Sequence, residues 1–97
     1  MNLTLKKKLE QEIITLDWCA NNGFKKQLIN VATDTTYFYE GTDFIICFTR
    51  STCGRNRILV SKYSSKETVE FECQNYGSIT IARLRDLCSI VNVDYPF

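Results

Sequence analysis

The segment from Thr35 to Gln74 constrains the fold more than any other part of the chain. Within it, TTYFYE, DFIICFTR, RILVSKY and ETVEFECQ are each dense in β-branched and aromatic residues, which suit a pleated, half-buried surface. Gly41-Thr42 separates the first two stretches and Ser64-Ser65 the last two, connections of turn length that predict two antiparallel hairpins. Closing the second hairpin on Lys62 and Glu67 sets Ile58 opposite Phe71, Val60 opposite Val69 and Arg57 opposite Glu72. A register slipped by one residue toward the C-terminus would oppose Ile58 and Val60 to glutamates, so the pattern selects the first pairing. Val69, Phe71 and Cys73 then line one face of the last strand, with Glu70, Glu72 and Gln74 on the other. That alternation belongs to a sheet with one face toward water.

Helical periods flank this region. Leu5, Leu9, Ile13, Leu16 and Ala20 recur at intervals of four, four, three and four, which predicts a helix over about residues 4–22, with Thr4 as its N-cap and Asn22-Gly23 as its stop. Ile14 and Trp18 widen the apolar stripe on its outer side. Residues 24–34 fit a helical and a strand period alike, and we read them as a short strand. After Gly77 ends the sheet, Ser78 or Thr80 can cap a helix to about residue 91, with Ile81, Leu84, Cys88 and Val91 as its stripe and Leu87 broadening it. Pro96 prevents continuation, and Tyr95 and Phe97 are expected to lie against the body of the domain. The expectation is one α+β domain over residues 1–97. It has an N-terminal helix, an antiparallel sheet of about four to five strands and a C-terminal helix, with the helices packed on one sheet face.

Composition bounds the function classes. A chain of 97 residues, 44% apolar and 24% charged, suffices for one soluble core. Charges interrupt the apolar residues near the N-terminus, and the longest apolar run, Phe44 to Phe48, is far below the ~20 residues of a spanning helix. Neither a signal peptide nor a membrane segment is expected. Five cysteines, an odd number, fit a reducing compartment, so the protein is expected in the cytoplasm. Frequent Ile, Asn, Lys, Thr and Phe beside one Pro and four Gly resemble the usage of AT-rich phage and mobile-element genes. The compartment would then be that of the host cell.

There is no histidine, which removes the commonest acid-base group and the usual activator of nucleophiles. Successive cysteines are separated by 27, 5, 19 and 14 residues, unlike the close pairs of zinc and redox motifs. No catalytic residues, metal site or cofactor are expected, and the protein is read as a non-enzyme. Cys53 alone has a case for reactivity, because neighbouring arginines raise its thiolate fraction.

Charge is uneven within a chain of net charge +1. Arg50, Arg55, Arg57, Lys62 and Lys66 fall in a stretch without acids, whereas residues 67–97 hold five acids and two arginines. If Arg57, Lys62 and Lys66 pair with Glu72, Glu67 and their neighbours, Arg50 and Arg55 remain free. Two free charges hold duplex weakly, although Ser51, Thr52, Gly54 and Asn56 add small donors that could reach phosphate oxygens. On DFIICFTR, Phe44, Ile46 and Phe48 point one way and Ile45 and Cys47 the other, and on the next strand Leu59 opposes Ile58 and Val60, so both faces of these strands carry apolar groups.

These features lead to the expectation of a protein-interaction module that acts by steric occupation of a partner. Its role would be that of a phage or mobile-element inhibitor of a host defence or nucleic-acid enzyme, in the manner of an anti-CRISPR protein. Arg50, Arg55 and Arg57 would grip acidic groups, and Tyr37, Tyr39, Ile45 and Leu59 would be apolar anchors. The alternatives are a nucleic-acid-binding hairpin over residues 50–66 and self-association as a homodimer.

Overall fold

The computed structural model describes residues 12–27 and 34–97. In chain order the elements are α1 (Leu16–Asn21), β1 (Lys25–Lys26), β2 (Asp34–Glu40), β3 (Phe44–Ser51), β4 (Asn56–Lys62), β5 (Glu67–Cys73) and α2 (Ile81–Ile90). The five strands form one antiparallel sheet in sequence order. This is an α+β arrangement of a five-stranded sheet with two helices. No helix among the described residues is long and apolar enough to cross a membrane.

The hairpins follow the sequence pattern. In the β4–β5 pair Ile58 faces Phe71, Val60 faces Val69, Arg57 faces Glu72 and Lys62 faces Glu67, as expected. In the β2–β3 pair Tyr37 faces Phe48 and Tyr39 faces Ile46. One end of the sheet is tied by side chains: the Asp43 carboxylate accepts from the Ser64 backbone N–H at 3.1 Å and from its hydroxyl, and the Tyr63 hydroxyl donates to Glu40 at 2.8 Å.

Ile46, Phe48, Ile58 and Val60 occupy one face of the central strands and are fully buried. They belong to a single hydrophobic cluster with Ile14 and Cys19 from the N-terminal part and Leu84, Leu87, Cys88 and Val91 from in and beside α2. Phe97 meets Tyr39, Trp18 and Phe24 at ring-centroid distances of 4.9, 5.2 and 5.3 Å, and Tyr95 lies 5.6 Å from Phe97. The two tail aromatics therefore pack on the body, as predicted. Each such ring contact adds about 0.5–1.5 kcal/mol beyond area burial.

The C-terminal helix begins where expected, with the Thr80 hydroxyl accepting from the Arg83 N–H at 3.2 Å. The N-terminal helix does not. A helix over residues 4–22 is replaced, within the described part, by six residues capped at Thr15, whose hydroxyl accepts from the Trp18 N–H at 3.0 Å. Thr4, Leu5 and Leu9 lie outside the described residues. The physical reason is a competing long-range pairing: Ile13 bridges to Thr80, the Ile14 N–H donates to the Ile79 carbonyl at 2.8 Å, and the Ile81 N–H donates to the Glu12 carbonyl at 2.9 Å. Extended backbone at residues 12–14 also reverses the expected stripe, because Ile13 is 45% exposed and Ile14 is buried. The stop is as predicted, with Gly23 at φ +84°, a left-handed conformation that glycine adopts without steric cost. Of the strand expected over residues 24–34, Lys25–Lys26 and Asp34 are in the sheet, and residues 28–33 lie outside the described part.

Candidate functional site

Directly paired residues of neighbouring strands share a face, so the register sorts every expected site residue. Tyr37 and Tyr39 pair with Phe48 and Ile46 and pack against the hydrophobic cluster. Ile45, Cys47, Leu59 and Arg57 occupy the opposite face. There Phe38, Cys47, Leu59 and Glu70 form one cross-strand row; Thr36, Thr49, Arg57 and Glu72 form the next. The expected union of Tyr37 and Tyr39 with Ile45 and Leu59 in one patch is therefore corrected. The period of two puts odd and even positions of paired strands on set faces, and Tyr39 is already held among Phe24, Phe44 and Phe97.

The second face has an apolar centre and a polar margin. Phe38, Ile45, Cys47 and Leu59 are half-buried and stand apart from the hydrophobic cluster. Burial pushes the Cys47 thiol above its ordinary value, and the positive charge of Arg57 partly offsets this. Around them the Thr36 and Thr49 hydroxyls are 3.0 Å apart, the Ser61 and Thr68 hydroxyls are 2.9 Å apart, and Arg57 Nη1 lies 3.9 Å from Glu70 Oε2.

The basic hairpin is less free than its sequence suggests. Arg55 Nε lies 3.3 Å from Glu72 Oε1, so the expectation of an unpaired Arg55 is corrected: the β3–β4 turn folds its side chain back onto β5. Arg57 faces Glu72 in register but approaches Glu70. Lys62 Nζ donates to the Asn92 carbonyl at 3.0 Å. Arg50 is half-buried on the side of the hydrophobic cluster, where its Nε donates to Asn56 Oδ1 at 3.2 Å.

A cleft lies on each side of the sheet end at this turn. One, about 430 Å³, is lined by Arg50 with Thr35, Thr52, Asn56 and Tyr76 among others. The other, about 300 Å³, holds Cys53 near Arg55, Arg57, Glu72 and Asp34. The exposed Cys53 thiol is held below its ordinary value by a hydrogen bond with the Ser51 hydroxyl at 2.9 Å, with further help from Arg55. Among the described residues no group of three or more Cys, Asp or Glu side chains could hold a metal ion.

Sequence reasoning missed Tyr76, and it read Asn56 as a free donor for phosphate where the structure has it bonded to Arg50 and Gly77. Asn56 is 7% exposed and links Arg50 to the Gly77 carbonyl, to which its Nδ2 donates at 2.7 Å. The signal was its place two residues before Ile58 and four before Val60, the apolar face of β4. Tyr76 follows Asn75, both at positive φ, in a turn marked in sequence only by Asn75 and Gly77. Comparisons with protein-family models, curated proteins and solved structures found no match for this chain.

Proposed function

We propose that this protein is a non-catalytic binding domain in which both helices lie over one sheet face, while the other docks a protein partner. The observation that carries the reading is the second apolar set, Phe38, Ile45, Cys47 and Leu59, on the face away from the hydrophobic cluster. Apolar side chains ringed by hydroxyls and paired charges reproduce the centre and rim of a protein interface. Arg57 with Glu70 and Arg55 with Glu72 supply both signs at that rim, which favours a partner with mixed charge. Action by occupation fits the inhibitor of a host defence or nucleic-acid enzyme that composition suggests, and a histidine-free chain supports binding over turnover.

The nucleic-acid reading draws less support. Neutralised phosphates supply its affinity, and two arginines of the hairpin are already close to glutamates.

The test is affinity capture from the cells that encode the protein, comparing the native chain with Leu59→Arg and Arg50→Ala. The reading expects a protein retained by the native chain and by Arg50→Ala but lost from Leu59→Arg. Capture that ignores Leu59→Arg, or retention of nucleic acid that falls steeply with salt, would overturn it. Light scattering distinguishes self-association: a dimer dispersed by Leu59→Arg would make a second copy the partner.

A further inference from the structure

We infer that the cleft beside Arg50 is a binding site for a phosphate monoester carried on a flat ring, the chemistry of a nucleoside monophosphate. It lies on the other side of the sheet end from the face proposed for protein docking and does not rest on that reading. Three features converge on it.

The first is the fixed guanidinium. Asn56 is buried, and because its Nδ2 is donated to the Gly77 carbonyl at 2.7 Å its Oδ1 is turned to accept from Arg50 Nε at 3.2 Å. That bond occupies one edge of the fork and leaves the two terminal nitrogens for a bidentate oxyanion, the geometry that suits arginine to phosphate. The second is charge. Among the described residues no acidic side chain lines this cleft and no carboxylate pairs with Arg50, whereas Arg55 and Arg57 each have one. A half-buried cation in a concave site concentrates anions, and Thr35 and Thr52 belong to the same lining.

The third is Tyr76. Tyr76 lines the cleft yet is 76% exposed, and its backbone is held at φ +60° after Asn75 at φ +55°. A bulky residue in that region is an outlier that costs about 1–3 kcal/mol. The Tyr76 N–H donates to the Gly54 carbonyl at 2.8 Å, and the ring crosses Gly54 so closely that a Cβ there would sit 3.0 Å from it. Glycine at 54, itself at φ +90°, admits the ring. An aromatic fixed in this way offers a platform on which a base can stack. The volume of about 430 Å³ falls within the ~300–1,000 Å³ range of small-molecule sites.

The inference is tested by calorimetric titration of the purified chain, at fixed ionic strength, with adenosine 5′-monophosphate, inorganic phosphate, adenosine and acetate. Adenosine monophosphate is expected to bind about tenfold tighter than phosphate or adenosine alone, as one stacking contact added to one phosphate contact requires. Acetate should be weakest. Arg50→Lys, which keeps the charge and loses the fork, should weaken adenosine monophosphate at least about tenfold, with folding checked by circular dichroism. Tyr76→Ala, at an exposed position, should reduce its affinity to that of inorganic phosphate, and Ile90→Ala, at an exposed position of α2 outside the cleft, should leave it unchanged. Absence of saturable binding, equal affinities for adenosine monophosphate and phosphate, acetate binding as tightly as phosphate, or indifference to both site variants would each overturn the inference.

Discussion

Ile45 and Ile46 are neighbours on β3 with the same side chain and opposite fates. Ile46 is 0% exposed within a cluster that reaches α2 and the N-terminal segment, while Ile45 is half-buried among strand neighbours on the second face. Both faces of the central strands are apolar, so alternation alone does not say which becomes the core. What separates them is the rest of the chain. Cys19, Leu84, Leu87 and Cys88 join the even positions of β3 and β4, whereas the margin of the second face is formed by hydroxyls and ion pairs.

The sharpest way to break this comparison is a matched pair of truncations. Ile46→Ala is expected to cost about 2–5 kcal/mol, the range for deleting a fully buried aliphatic side chain, and Ile45→Ala about 1 kcal/mol, in proportion to its smaller burial. Urea unfolding with unchanged m-values would measure both, and equal losses would show that the two faces are equally covered. Next in size are the helix caps. Thr80→Ala and Thr15→Ala should each cost about 1 kcal/mol by leaving a first-turn N–H without its acceptor. Hydrogen exchange should quicken in the capped helix and leave Thr36–Thr49 unaffected; loosening there instead would mean that the faces are not energetically separable.

The cysteines carry the comparison into pH. Burial pushes Cys19 from its ordinary 9.0 up to about 12 and Cys88 up to about 11, while Cys53 is lowered by the Ser51 hydroxyl and Arg55. Cys53 should therefore alkylate first, with a midpoint below 9.0, then Cys47 on the second face, and Cys19 and Cys88 only with unfolding. A buried thiol with a raised pKa keeps its proton in the folded chain after the unfolded chain has lost it. Cys19 and Cys88 thus leave stability intact below about pH 9 and make it fall as pH rises through about 11–12. Denaturation midpoints compared with those of Cys88→Ala test that sign, and this is the smallest of the effects near neutrality.

How much of the molecule was legible follows from the range of its interactions. The β4–β5 register could be read because opposed side chains a few residues apart in sequence must agree in polarity, and Thr80 could be read because capping is local. The N-terminal helix failed for the opposite reason: periodicity at Ile13 and Leu16 knows nothing of Ile79, whose carbonyl takes the Ile14 N–H. For the site, the alternation separating Tyr37 from Phe38 was visible, but not which face would join the hydrophobic cluster. Arg55 was misjudged because its partner depends on the curl of the turn, and Arg50 escaped explanation until Asn56 was placed beside it.

The pairing of residues 12–14 with residues 79–81 has a consequence for how the chain assembles. Among the described residues every strand pairing joins sequence neighbours, so each hairpin can zip from its own turn on the microsecond scale, whereas the clasp must wait for the whole meander to bring its two ends together. The closure is therefore expected to be the slower step of refolding, read as a second phase by stopped-flow fluorescence. Shortening the intervening loops should accelerate the closure without altering how quickly the hairpins form.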